Sequence, residues 1–364
     1  MTCGGGVHLS TDGQIDPTGL THALAAGAKS RGARFLVNTR VLGIGVHNNE
    51  IKEVVTDHGT IQTEIVVNAA GLWGNEIARM VGLTLPVIPM AHLYLVTKPV
   101  KNHPQDLNMP TMRDPDNLVY FRGTASGLIA GGYERHPKPW ALNGIPQDWN
   151  FKLLEPDWDR FTPLMENAIK RVPALETVEI AQLLNGPEGF TPDSEYLLGP
   201  TTVRGFWVAC AFCAHGIAGA GGIGKAMAEW IIEGYPEWDM WKLDVRRFGT
   251  QYGSQAYTLA RTVETYSQYY DIHLPWKNGN PHAPFDCLQP TIVCRNLVQS
   301  SERKAAGNGP TGSPPMSVTR AQMTYPTSPV GHGRTGLPPL RRNTARPVKQ
   351  RGFSTKPRLQ SWRC

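Results

Sequence analysis

Val66-Val67-Asn68-Ala69-Ala70-Gly71-Leu72-Trp73 is the stretch on which the fold turns. An apolar strand, Ile61 to Val67, runs into the small-residue turn Asn68-Ala69-Ala70-Gly71, and Asn75 to Val81 then has helical spacing. Strand, small-residue turn, helix is the shape of a crossover that contacts a nucleotide. The same grammar returns downstream. Phe206–Cys210 reads as a strand, Gly216–Gly224 as a glycine-rich turn, and Lys225–Ile232 as a helix ending near Gly234.

Outward from these two units the chain alternates α and β. Thr18 to Arg31 places Leu20, Ala23, Leu24 and Ala28 at helical spacing, and Arg34 to Val37 reads as a short strand. Val41–Val46 and Glu53–Asp57 read as paired strands joined through His47-Asn48-Asn49. Between the two crossovers lie Val87–Val100, Leu118–Arg122 and Leu128–Tyr133, strand-like and separated by Pro- and Gly-bearing loops, which predicts a distinct antiparallel sheet. Trp158–Val172 is predicted helical, with Phe161, Leu164, Met165 and Ile169 as its apolar stripe. The expected fold class is therefore mixed α/β (α+β). A crossover region over residues 1–86 is completed by a returning segment over 185–275, and an antiparallel region over 87–184 separates them.

Composition agrees with a packed body. Of 364 residues, 40% are hydrophobic and 18% charged, which excludes a wholly disordered chain, a collagen and a coiled coil. No apolar run is long enough to span a bilayer, and Met1–Ser10 lacks a basic stretch and a long apolar core. The expectation is a soluble protein of a reducing, cytoplasmic setting, with the mitochondrial matrix as the alternative for a eukaryotic source. The net charge of +6 is uneven: residues 279–364 hold thirteen Lys+Arg against two Asp+Glu, so the body before them is mildly acidic. Those residues also hold twelve Pro and little apolar periodicity, a disordered composition. Back-translated from Asn280 with suitable codons and read in another frame, the tail can spell an ordinary protein sequence, which leads to the expectation of a frameshift product. Arg341, Arg342, Arg346, Lys349 and Arg351 have no interleaved aromatics, so a solvated tail is expected and not a nucleic-acid site.

Several residues carry candidate chemistry. The stretch His215-Gly216-Ile217-Ala218-Gly219 lets the backbone approach a ligand ahead of a helix N-terminus, or simply makes a tight turn. Ala70 and Gly71 offer a similar close approach, or helix–sheet packing. His92 sits on a predicted strand, as a structural or a catalytic imidazole. Tyr120 and Arg122 share one strand face, where a phenol and a guanidinium suit a carboxylate ligand or the solvent side of a sheet. Cys210-Ala211-Phe212-Cys213 has no second ligand pair at zinc spacing and is expected to be a pair of buried thiols.

Taken as a set, these segments resemble the flavin domain of the dimethylglycine and sarcosine dehydrogenases, within the D-amino-acid-oxidase-like flavoproteins. The matching stretches are Thr11-Asp12-Gly13 with Asp16-Pro17, Val66–Trp73, Ile88–Val96, Asn185–Glu188 with Phe190–Asp193, and Ala214–Gly224, and they span about residues 8–275. The resemblance implies FAD and oxidation of a small N-methyl amine by hydride transfer to flavin. It implies cofactor binding for residues 1–86 and 185–275 and substrate binding for residues 87–184. Tetrahydrofolate enters only through a further module of the full-length family. His92 and Tyr120 look like the active-site polar pair, Val41 like the residue whose backbone meets the adenine, and Ala70 with Gly71 like a second cofactor turn. Gly216 and Ile217 look like the turn facing the flavin ring. Arg122 as a carboxylate clamp is inferred from its chemistry alone. The family's first strand, Gly-x-Gly-x-x-Gly turn and helix, together with its flavin-linking His, have no counterpart here, so an N-terminally shortened Rossmann-like region with impaired cofactor binding is expected. A non-catalytic alternative is set by the pyruvate dehydrogenase phosphatase regulatory subunit, which resembles the same domain.

Overall fold

The computed structural model describes residues 5–101, 109–125, 127–271 and 360–362. They divide into two units. In the smaller, β1 (Gly6–His8) pairs antiparallel with a strand at Gln360–Trp362, Gly6 opposite Trp362. The rest of the basic tail, for which disorder or a shifted frame was expected, lies outside the described residues.

The larger unit opens with α1 (Pro17–Lys29). Asp16 caps it by accepting from the Gly19 amide at 2.7 Å, and Pro17 occupies the first turn, where its missing N–H costs nothing. The predicted strand at Arg34–Val37 is irregular chain instead: Phe35, Leu36 and Val37 are exposed and face no pairing strand among the described residues. β2 (Val41–His47), β3 (Glu50–Thr56) and β4 (Gly59–Gln62) form an antiparallel sheet. Asn48 and Asn49 turn the first hairpin with φ of 51° and 62°, the left-handed pair that a two-residue loop needs.

The predicted strand Ile61–Val67 divides. Its first part is β4; its second is β5 (Val66–Asn68), which leaves that sheet and runs parallel to a strand far downstream. Thr63 makes the break, its hydroxyl donating to the Ile65 carbonyl. After β5 come a short 3-10 turn, Gly71–Trp73, and α2 (Gly74–Arg79).

Then the second sheet forms: β6 (Ile88–Thr97), β7 (Met112–Asp114), β8 (Val119–Thr124), β9 (Gly127–Gly132) and the short β10 (Lys138–Pro139). α3 (Trp158–Arg171) follows, and β11 (Ile180–Phe190) closes the sheet along the whole of β6. All pairings are antiparallel. Alternation gives the sheet two different faces. Leu93, Leu95, Phe121 and Ala130 point one way and pack under Phe161 and Leu164 of α3. Burying each such side chain contributes about 1.5–3 kcal/mol, so the α3 side is fixed by apolar packing. Met90, His92 and Tyr94 point the other way, with Tyr120 and Arg122.

β12 (Leu197–Pro200) and β13 (Phe206–Cys210) complete the first crossover layer. β13 lies parallel to β5, with Val66, Val67 and Asn68 opposite Phe206, Trp207 and Val208. The glycine-rich segment after β13 is not a turn: α4 spans Gly216–Glu233, so those glycines are its first turns. The helix is held by Ile223, Ala226, Met227 and Trp230 at helical spacing and stops at Gly234, left-handed with φ 85°. α5 (Gln255–Ser267) ends the larger unit's helices. Among the described residues no helix is long and apolar enough to cross a membrane.

Candidate active site

The polar face of the sheet is where the candidate residues meet. His92 projects from β6 and Tyr120 from β8, with β9 between them. They touch because β9 carries Gly131 at that point, in register with both Tyr94 and Tyr120. A Cβ on Gly131 would run into the Tyr120 ring. Across this gap Nε2 of His92 lies 3.1 Å from the Tyr120 hydroxyl, the two rings 11° from parallel.

The other ring nitrogen leads to residues that sequence reasoning missed. Nδ1 of His92 is 2.8 Å from the hydroxyl of Tyr266, at the end of α5, which in turn donates to Oε2 of Glu134 at 3.4 Å. Glu134 pairs with Arg160 of α3 at 3.0 Å; the two atoms are poorly aligned for a hydrogen bond, so the contact is chiefly ionic. Arg160 also donates to the Ala91 carbonyl at 3.1 Å and so ties α3 to the strand that carries His92. The chain has a direction. An ionised Glu134 only accepts, so the Tyr266 proton points to it, and Tyr266 accepts Nδ1–H. Nε2 is then the bare nitrogen, and Tyr120 donates to it. The tautomer follows from this network.

Burial, with the Arg160 charge as the second cause, holds the His92 pKa down at about 4, so the imidazole is neutral at physiological pH. Burial likewise pushes Tyr120 up, with the charge of Glu188 adding to it. Arg122, two residues along β8 from Tyr120, lies on the same face, and its Nε is buried without a hydrogen-bond partner among the described residues.

The cofactor candidates fall in the other layer. β5 and β13 are parallel neighbours, so the loops that follow them leave at the same end. One loop carries Ala70 and Gly71. Asn68 shapes it by donating to the Gly74 carbonyl at 2.8 Å and accepting from the Ala70 amide at 3.2 Å. Gly71 has φ 56°, and a Cβ there would meet nothing within 4 Å. The other loop reaches Gly216 and Ile217 at the start of α4 through Ala211, Cys213 and Ala214, all left-handed although none is glycine. Such a run is costly and is held by its surroundings: Tyr269 donates to the Cys213 carbonyl at 3.0 Å, and its hydroxyl is 2.8 Å from Nε2 of His215. Val41 stands apart at the start of β2, against the apolar core that also holds Ile51, Phe206 and Val208. Cys210 and Cys213 are buried free thiols, as expected, and burial pushes both up to about 12. Among the described residues no group of His, Cys, Asp and Glu is arranged to hold a metal ion.

Comparison with known proteins gives this arrangement a family. A model of FAD dependent oxidoreductases matches residues 2–230, and an FAD dependent oxidoreductase central domain matches residues 233–279. The chain belongs to the FAD-dependent oxidoreductase family. It is 38% identical to the mitochondrial sarcosine dehydrogenase of Mus musculus over 278 residues, covering 74% of this chain and 30% of that protein. It is 35% identical to the mitochondrial pyruvate dehydrogenase phosphatase regulatory subunit of Mus musculus over 274 residues, covering 74% and 31%. The chain thus spans about a third of the length of these two relatives. The crystal structure of L-proline dehydrogenase from P. horikoshii resembles it with a TM-score of 0.54 and 31% identity, over 65% of this chain and 61% of that one.

The residues present fit the family's cofactor. Two loops open at one end of a parallel strand pair, one with room beside its Gly71 backbone, the other leading to a helix N-terminus whose first N–H groups have no partner within the helix. These suit a ligand that lies flat against main chain and presents acceptor atoms to it.

Proposed function

We propose that this chain oxidises an N-methylated glycine-type amine, sarcosine- or dimethylglycine-like, with FAD as its cofactor. Val41, Ala70, Gly71, Gly216 and Ile217 are the residues assigned to hold that group. When bound, FAD supplies the acceptor for the hydride that leaves the N-methyl carbon. The protein's own side chains do the rest. Arg122, with an unused buried N–H, is the clamp for the substrate carboxylate. His92 and Tyr120 form a fixed polar wall beside it, with the imidazole neutral, so that His92 adds no charge against the positive charge developing on the substrate nitrogen.

The observation that carries this reading is the buried His92–Tyr120 contact, hydrogen-bonded at 3.1 Å and backed by Tyr266 on the polar face of the sheet. The test uses the full chain supplied with FAD. The expected result is a yellow protein whose visible absorbance bleaches under anaerobic sarcosine or dimethylglycine. A protein that stays colourless, or holds FAD and is not bleached by either amine, overturns the reading and turns it toward a non-catalytic binding partner.

A further inference from the structure

Glu188 is a buried acid on the polar face that the assignments above leave without a task. It sits on β11 directly opposite Met90, as Gly186 sits opposite His92. Opposed residues of an antiparallel pair share a face, so Glu188 and His92 point to the same side, two positions apart. Its Oε2 is shut off from solvent and has no hydrogen-bond partner among the described residues.

The surroundings explain why this is unusual. His92 of β6 and Tyr120 of β8 share the face of Glu188 by strand register. The Glu188 charge raises the pKa of Tyr120, of Tyr133 after β9, of Tyr266 of α5, of Tyr269 beyond it and of the Cys213 thiol, so the groups within its electrostatic reach are phenols and a thiol. Arg122 and Arg113 share the face, yet no cation lowers Glu188 in return; burial alone acts on it and lifts it to about 7. A buried carboxylate is ordinarily paired or coordinated. Glu134, buried just beyond β9, has Arg160. Glu188 has no such partner among the described residues, and it shares the sheet face of His92 and Tyr120.

We propose that Glu188 receives the substrate's cationic nitrogen and takes the N–H proton from it. The inference rests on the amine reading above and adds the residue that selects for nitrogen. The step is a plain proton transfer: the substrate N–H bond breaks, a Glu188 O–H bond forms, and the nitrogen keeps its lone pair. In a site closed to water a neutral acid beside a neutral amine costs less desolvation than two ions, which favours the transfer. The free lone pair is what a C–H bond needs beside it to release hydride. Arg122 and Glu188 then divide the recognition of an amino acid between them, one end for carboxylate and one for nitrogen.

The test separates the two ends with a pair of ligands of equal shape. N,N-dimethylglycine and 3-methylbutanoate differ only in having N–H⁺ or C–H at the branch point. Binding of each to the full chain, with its FAD reduced beforehand by dithionite so that the amine cannot react, is measured by anaerobic calorimetry at pH 8. The wild type is expected to prefer the amine by about tenfold or more, the strength of a hydrogen bond to a charged group. Glu188→Gln is expected to bring the two within about twofold, chiefly by weakening the amine, and Glu188→Asp to fall between. If E188Q keeps the wild-type preference, or the wild type has none, the role of Glu188 is overturned while the amino-acid site stands. If the wild type binds neither ligand, the amine reading itself falls, and this inference with it. Should E188Q not fold, the wild type decides alone. Its affinity for dimethylglycine must drop between pH 8 and pH 6 as Glu188 takes a proton, with His92 still neutral, while that for 3-methylbutanoate holds or rises. Parallel changes for the two ligands would overturn the proposal.

Discussion

The Tyr266 hydroxyl stands 2.8 Å from Nδ1 of His92, although the two residues are 174 positions apart in the chain. Tyr266 thereby fixes both the rotation and the tautomer of an imidazole on a different element. Tyr266→Phe leaves a buried N–H without an acceptor, which costs about 1–3 kcal/mol. We expect a lower melting temperature, a reduced kcat and a nearly unchanged KM for the amine, read from thermal denaturation and steady-state rates. Tyr266→Phe with wild-type kcat would show that the tautomer is set elsewhere.

His92 and Glu188 pull the stability in opposite directions with pH. Folding holds the His92 pKa near 4, below its ordinary 6.5, so its contribution is whole above pH 6.5 and is lost as pH falls toward 4. Folding raises Glu188 from 4.5 to about 7, so its contribution is whole below pH 4.5 and is lost as pH rises toward 7. Between about pH 4.5 and 6.5 they offset each other. Urea denaturation should show the hidden slopes. E188Q leaves a chain that gains stability from pH 4.5 to 6.5 relative to wild type, and His92→Asn one that loses it. Glu134, also raised by burial, is common to all three chains and cancels in the differences.

Gly131→Ala tests the gap between the strands. The new methyl would meet the Tyr120 ring and come within 2.9 Å of Tyr94 Cβ, so Tyr120 must leave His92. The expected outcome is a folded protein with activity down by roughly two orders of magnitude, on the scale of removing one positioned donor. Adding Tyr120→Phe to it should cost little more, because the contact is already lost.

Arg122→Gln removes the fork proposed for the carboxylate. KM for sarcosine or dimethylglycine should rise about 10- to 100-fold, the scale of a charge-assisted pair. KM for dimethylamine, which has no carboxylate, should not move. Equal effects on the two amines would assign Arg122 to structure.

The buried thiols give a chemical prediction. With Cys210 and Cys213 both enclosed and pushed up to about 12, almost no thiolate is present at pH 8. Alkylation of the native protein followed by peptide mapping should leave both unmodified, and unfolding in urea should expose both to the reagent.

Much of this was legible in the chain, and the omissions have physical causes. Strand–turn–helix at Val66–Val81 and the apolar stripe of α3 are local patterns, and the structure keeps them. His92 and Tyr120, which the family resemblance pairs as active-site polar residues, lie in contact, and the reason they touch is a missing side chain at Gly131, which no local pattern reports. β11 was hidden by Gly186, Pro187 and Gly189. It tolerates the proline because, among the described residues, it pairs with β6 alone, so an absent N–H can face outward. The glycines after His215 suggested a loop. The helix forms because its second half packs through Met227 and Trp230, and Gly219 is needed for close approach: a Cβ there would sit 2.8 Å from the Tyr196 hydroxyl. Tyr266, Glu134 and Arg160 come from three distant elements, and only tertiary structure could join them.

The parallel pairing of β5 with β13 has a consequence for how the molecule is made. Val66 meets Phe206 across about 140 residues, whereas the hairpin of β8 and β9 closes within a few. Loop-closure entropy makes the distant contact the slower to form. A chain emerging from the ribosome can complete much of its antiparallel sheet before β5 has a partner strand. The end of the β5–β13 pair, from which both loops leave, is then among the last parts to take shape, and whatever settles there secures the final step of assembly.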